Sequence, residues 1–127
     1  MVHVLVVDDE IDIRDLLACW LQADGHEVLA AGSAEGALAA VDRDGLPQAV
    51  VLDVDMPGTD GVELLGRLRE RDPGLPALFV TVLWDGRHQE RMRDAGGGVL
   101  PKPFTRRQLC TAVQHLAAGA AGVGSER

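Results

Sequence analysis

Five short apolar runs alternate with five segments of helical periodicity along these 127 residues, and few folds accommodate that order. The runs at 2–7, 26–31, 49–53, 77–82 and 99–100 are rich in Val, Leu and Ala. Strands that are apolar nearly throughout are covered on both faces, as in a parallel sheet. The intervening segments predict helices over 10–24, 34–42, 61–71, 86–95 and 105–118. Ile13, Leu16, Leu17, Trp20 and Leu21 form the apolar stripe of the first helix. Ala37, Leu38 and Val41 do so in the second, Val62, Leu64, Leu65 and Leu68 in the third, and Leu109, Val113 and Leu116 in the last. The fourth is polar and Arg-rich, with little apolar content. Ser33 is placed to cap the second helix, while Gly25 and Asp72-Pro73-Gly74 end the first and third.

Right-handed crossovers between five consecutive strand–helix units give an α/β fold with helices on both faces of the sheet. The strand order that suits this length is 2-1-3-4-5, the three-layer flavodoxin-like arrangement with five helices. Strands 1 and 3 are then neighbours. Aromatics are scarce, with two Trp, two Phe and no Tyr, so the core is built from Val, Leu and Ala. The chain is long enough for one domain with a real core. We expect that domain to span 1–118, with 119–127 as a flexible tail or the start of a linker.

A net charge of −8 and no long Lys/Arg run argue against direct nucleic-acid binding and against anionic membranes. No apolar stretch reaches the length of a membrane span, and Met1-Val2-His3 leads straight into a strand, so the expected compartment is the cytoplasm. Cys19 and Cys110 stand apart from each other and from any metal-spaced His. They read as small buried or half-buried thiols, with neither a disulfide nor zinc expected.

The chemistry concentrates where the apolar runs end. Asp53 closes the third run and precedes the loop Val54-Asp55-Met56-Pro57-Gly58-Thr59-Asp60-Gly61; Asp8-Asp9 follows the first run. The strand order brings Asp8, Asp9 and Asp53 to one sheet edge, where like charges require a raised pKa or a cation. With only oxygen donors, a hard ion such as Mg²⁺ suits the set. An Asp beside such an ion can act as a nucleophile toward phosphorus, giving an aspartyl-phosphate. Thr81 and Lys102, each at the end of a run on the same edge, are candidates to bind the remaining phosphoryl oxygens. Pro101 and Pro103 restrict Lys102 on both sides, and an X-Pro bond there can be cis. Against this stand plainer roles, since Asp9 or Glu10 can cap the first helix, and Asp12, Asp15 and Glu63 read as solvated or capping acids.

Val7-Asp8-Asp9-Glu10, Leu52-Asp53-Val54-Asp55-Met56-Pro57-Gly58-Thr59-Asp60-Gly61, Thr81 and Lys102-Pro103-Phe104 stand together in one order and register. In this the chain resembles the receiver domain of bacterial two-component response regulators (CheY-like) from about Val2 to Ala118. Each motif alone is weak; four in register are a strong signal. The resemblance implies that Asp53 accepts a phosphoryl group from a phosphohistidine on a histidine kinase or histidine phosphotransfer protein. It implies Mg²⁺ held by Asp8, Asp9, Asp53 and the backbone carbonyl of Asp55, with Lys102 on one phosphoryl oxygen and the Thr81 hydroxyl on another. The shift of Thr81 would report phosphorylation to the face formed by strand 4, strand 5 and their helices. Such a domain is a signalling module, catalysing only its own phosphorylation and dephosphorylation. Its expected partners are the phosphodonor, an output domain or downstream protein, and a second copy in a phosphorylation-dependent homodimer.

Some positions depart from the family pattern. Val99 replaces the usual Tyr or Phe, so a rotating aromatic reporter is absent. Val82 replaces a small residue and would narrow access to Asp53, while Leu83 and Asp55 occupy positions that tune the phosphoryl lifetime. Trp84 reads equally as a packed lid or a partner contact. Arg87 and Arg91 share a helix face, with Arg93 nearby; this face reads first as an exposed salt-bridging surface and second as a dock for an acidic partner or a second receiver. Two alternative functions are an interaction module that signals without phosphorylation and an Asp-x-Asp phosphohydrolase using Asp53 and Asp55. The second is disfavoured because the motif follows the third strand and little chain is left for a cap.

Overall fold

The computed structural model describes residues 2–82 and 86–122; Leu83 and Trp84 lie outside them. Five strands, β1 (His3–Val7), β2 (Glu27–Ala31), β3 (Ala49–Asp53), β4 (Ala77–Thr81) and β5 (Gly98–Pro101), alternate with five helices. These are α1 (Ile11–Ala23), α2 (Ala34–Asp44), α3 (Gly61–Arg69), α4 (Gly86–Asp94) and α5 (Arg106–Gly122). The strands form one parallel sheet in the order β2-β1-β3-β4-β5, as the alternation predicts. Among the described residues no helix is long and apolar enough to cross a membrane.

Successive strand residues point to opposite faces, and two cores result. Leu5, Val7, Val50, Leu52 and Phe79 pack with Ala37 and Val41 of α2, Leu64, Leu65 and Leu68 of α3, and Met92 of α4. Val4, Val6, Val51, Leu78 and Val80 pack on the other face with Leu17 and Leu21 of α1 and Leu109 and Val113 of α5. Every residue of β3 and β4 is buried, so these two strands are the centre of the molecule.

Capping agrees with the local sequence. The Ser33 hydroxyl accepts from Gly36 N at 3.0 Å. Asp60 and Glu63 form a reciprocal capping box on α3, at 2.9 and 3.1 Å, which confirms Glu63 as a capping acid. Thr105 and Gln108 do the same at the start of α5, at 3.1 and 2.8 Å. Glu10 stands at the N-cap of α1 but makes no side-chain bond there. Asp8 serves instead, its Oδ1 accepting from Glu10 N at 2.9 Å.

Some expectations need correction. Leu16 is 40% exposed, because the α1 stripe runs through Ile13, Leu17 and Leu21, and Leu16 lies one step round the helix from it. Cys19 is exposed on the same helix, not buried, whereas Cys110 is buried. Helix α5 continues to Gly122, four residues beyond the predicted end at Ala118: Ala and Leu favour helix strongly enough to carry Gly119. The strand β5 extends one residue past each end of the predicted pair, since its ladder to β4 runs from Gly98 to Pro101. The polar segment at 86–94 is indeed helical, held on the sheet by the fully buried Met92.

Candidate functional site

Register places the chemistry. Val7 pairs with Leu52, so Asp8, just after β1, comes beside Asp53, the last residue of β3, and Thr81 pairs with Pro101, directly before Lys102. The buried polar or charged residues among those described are Asp8, Asp53 and Thr81, at 0%, 4% and 0% exposure, and all three lie at this edge. A sheet interior built of Val, Leu and Ala has no polar group to spare, so its buried polar side chains gather where the strands end.

Carboxylate oxygens of Asp8, Asp9 and Asp53 lie within 4.8 Å of one another, with Asp9 on the exposed side. Lys102 Nζ is 3.2 Å from Asp8 Oδ2, 3.7 Å from Asp53 Oδ1 and 3.9 Å from Glu10 Oε1. Its backbone N–H donates to Thr81 O at 2.9 Å, which ties the lysine to β4, and the Lys102–Pro103 bond is cis. Asp53 Oδ1 also accepts from Asp55 N at 3.3 Å. Arg14, on the first turn of α1, donates to the Asp8 carbonyl at 3.1 Å.

Burial is the main reason the Asp53 carboxyl is pushed up to about 7. The Asp8 charge pushes the same way, Lys102 and the Asp55 N–H oppose it, and Asp9 adds a smaller upward push. An all-oxygen set of this kind, in which burial and a neighbouring carboxylate disfavour the charged form of one acid, suits a hard divalent cation. The plainer capping role fits Asp8 in addition, but it leaves the approach of Asp53 and Asp9 unexplained.

All of Asp8, Asp9, Asp53, Thr81 and Lys102 come to the one edge. Asp55 is exposed in the loop after β3. Gly61 closes that loop: its N–H donates to Val54 O at 3.1 Å, and a Cβ there would collide with the Asp53 carbonyl. Of the departures, Val82 is 58% exposed and Val99 is 42% exposed. Sequence reasoning missed Arg14, whose role depends on how α1 is rotated. It also missed an apolar cleft of about 350 Å³ beside Lys102, lined by Ile13, Leu16, Trp20, Val82, Pro103 and Phe104. The signal for the cleft was there, in apolar residues on both α1 and the segment after Lys102. Trp20 and Phe104 meet edge-on, with ring centroids 6.3 Å apart.

The chain is similar to known proteins. Response regulator protein FleR of Pseudomonas aeruginosa is 41% identical over 117 residues, covering 91% of this chain and 24% of that protein. A 14.6 kDa protein of Leptolyngbya boryana is 40% identical over 88% of this chain and 87% of its own length. The chain thus spans about a quarter of FleR, and about half of several mycobacterial regulators that it also matches. Among solved structures, the Vibrio cholerae chemotaxis protein CheY4 superposes with a TM-score of 0.84 at 30% identity, over 91% of this chain and 98% of that one. Residues 4–114 match the family model of the response regulator receiver domain, and the chain belongs to that family.

Proposed function

We propose that Asp53 is the phosphoryl acceptor of this signalling domain, supplied by a phosphohistidine on a histidine kinase or histidine phosphotransfer protein. The observation that carries this reading is the convergence of buried Asp8, Asp53 and Thr81 with Lys102 at one sheet edge. An Asp53 carboxylate oxygen forms the new O–P bond while the P–N bond to the donor imidazole breaks, and the imidazole leaves with a proton from solvent. Lys102 offsets part of the charge that arrives, and the Thr81 hydroxyl donates to a second phosphoryl oxygen. Asp8, Asp9 and Asp53, with the Asp55 backbone carbonyl, would hold Mg²⁺. When bound, that ion supplies the remaining charge compensation on the phosphoryl oxygens. The domain's own chemistry is limited to taking up the group and releasing it to water, and the result is a change at the β4, β5 and α5 face.

The apolar cleft suits an amphipathic helix of the phosphodonor, because it sets an apolar surface beside Lys102, whose Nζ is 3.7 Å from Asp53 Oδ1. Free thiols at Cys19 and Cys110 suit the cytoplasm. An output domain joined to the chain, a downstream protein and a phosphorylation-dependent homodimer are the further partners of this reading.

Acetyl phosphate or beryllofluoride with Mg²⁺ tests it. Intact mass should show one phosphoryl group on the wild type and none on Asp53→Asn, and size exclusion of the same samples reports assembly. A wild-type protein inert to both reagents would leave phosphorylation-independent interaction as the function. Turnover of phosphate esters far above one equivalent, lost on Asp55→Asn, would point to a phosphohydrolase.

A further inference from the structure

The Asp60 carboxylate is divided between two elements. Its Oδ1 accepts from Glu63 N at 2.9 Å and so caps α3, while its Oδ2 accepts from Arg91 Nη2 of α4 at 2.8 Å. Its backbone is fixed as well, since Asp60 N donates to Glu63 Oε1 at 3.1 Å. Asp60 is also the last residue of the loop that leaves Asp53. That loop is bracketed at its start by the Asp55 N–H on Asp53 Oδ1 at 3.3 Å, and at its end by the Gly61 N–H on Val54 O at 3.1 Å.

Among the described side chains of α4, Met92 alone is fully buried, and Arg87, Glu90, Arg93 and Asp94 are exposed. Its C-terminal end is held by Arg69 of α3, which donates to Ala95 O and also to Leu75 O, the latter at 3.1 and 2.9 Å. Polar contacts from the two ends of α3 thus help to position a helix in which Met92 is the fully buried side chain among those described. A helix attached in this way moves when those contacts move.

We propose that the Asp60–Arg91 ion pair is a strut that transmits the state of the Asp53 loop to α4, a route independent of the aromatic reporter replaced by Val99. The inference rests on the reading of Asp53 as phosphoryl acceptor. A bond formed at an Asp53 oxygen changes the acceptor of the Asp55 N–H. The loop re-forms between its two brackets, and its last side chain carries the adjustment to Arg91.

Hydrogen exchange of amides 87–95 tests the strut in two stages. In the unmodified protein, Arg91→Gln and Asp60→Asn should each speed exchange in α4 about two- to fivefold, the range of a partly exposed ion pair. The double variant should match either single one, because both remove the same interaction. Asn still caps, so α3 should exchange as in wild type. In the second stage, beryllofluoride with Mg²⁺ should change α4 exchange in wild type and do so by less than half as much in Arg91→Gln. Additive single effects, or an equal response in Arg91→Gln, would overturn the strut. If the mimic fails to bind wild type, the acceptor reading falls, and the strut is then judged by the first stage alone.

Discussion

Two opposing effects meet on Asp53. Burial and the nearby Asp8 charge push its carboxyl up to about 7, while Lys102, 3.7 Å away, favours the anion. Removing the lysine should therefore raise the Asp53 midpoint in Lys102→Ala, followed by the ¹³C shift of the side-chain carboxyl in metal-free protein. An unchanged midpoint would mean that Lys102, only 3.2 Å from Asp8, spends its charge there. We expect the same variant to bind beryllofluoride with Mg²⁺ yet show no shift change around Thr81 and β5. A normal response there would remove Lys102 from the relay. At this scale the sequence was informative for a physical reason. Asp8, Asp53, Thr81 and Lys102 each stand at or just beyond the end of an apolar run, and in a parallel sheet the ends of such runs share one edge. Arg14 and the Asp60–Arg91 pair were not legible, since they depend on helix rotation and on contacts between helices, which periodicity does not encode.

Among the elements, the loop from Asp53 to α3 has the narrowest tolerance. Gly61 begins α3 against the Asp53 carbonyl, and a methyl group there would force that backbone apart. Gly61→Ala should destabilise the protein by about 1–3 kcal/mol, the range for overpacking, as read from urea unfolding. It should also weaken beryllofluoride binding, because the displaced backbone carries the acceptor. Gly66, on an open face of the same helix, is the control: Gly66→Ala should be neutral or stabilising. A Gly61→Ala protein as stable as wild type would mean that the loop yields freely. Helices with a clear stripe, such as α3, were readable from Leu64, Leu65 and Leu68. The polar α4 offered only Met92 as a core residue, and its polar tethers to α3 are visible only in three dimensions.

For the whole molecule, the acidic edge opposes folding in the absence of a cation. The chain carries a net charge of −8 and gathers three carboxylates within 4.8 Å. The folded Asp53 carboxyl titrates near 7 against an ordinary value of 3.8, so between those limits the folded state holds more protons than the unfolded one. Stability from this group is then fully present below about 4 and is lost as pH rises through about 7. Asn at position 53 does not titrate. Metal-free Asp53→Asn should therefore be more stable than wild type at pH 8, by about 1–3 kcal/mol in urea unfolding, with the gain shrinking steadily toward pH 5. Mg²⁺ should act in the opposite sense. An ion bound only by the folded state adds about 2.7 kcal/mol at a hundredfold excess over its dissociation constant, and the variant has lost one of the donor carboxylates. Saturating Mg²⁺ at pH 8 should consequently stabilise wild type more than Asp53→Asn and narrow or invert their order. Equal stabilisation of the two proteins would place the ion away from Asp53. A gain in Asp53→Asn that persists undiminished at pH 5 would show that the Asp53 charge is not what strains the edge.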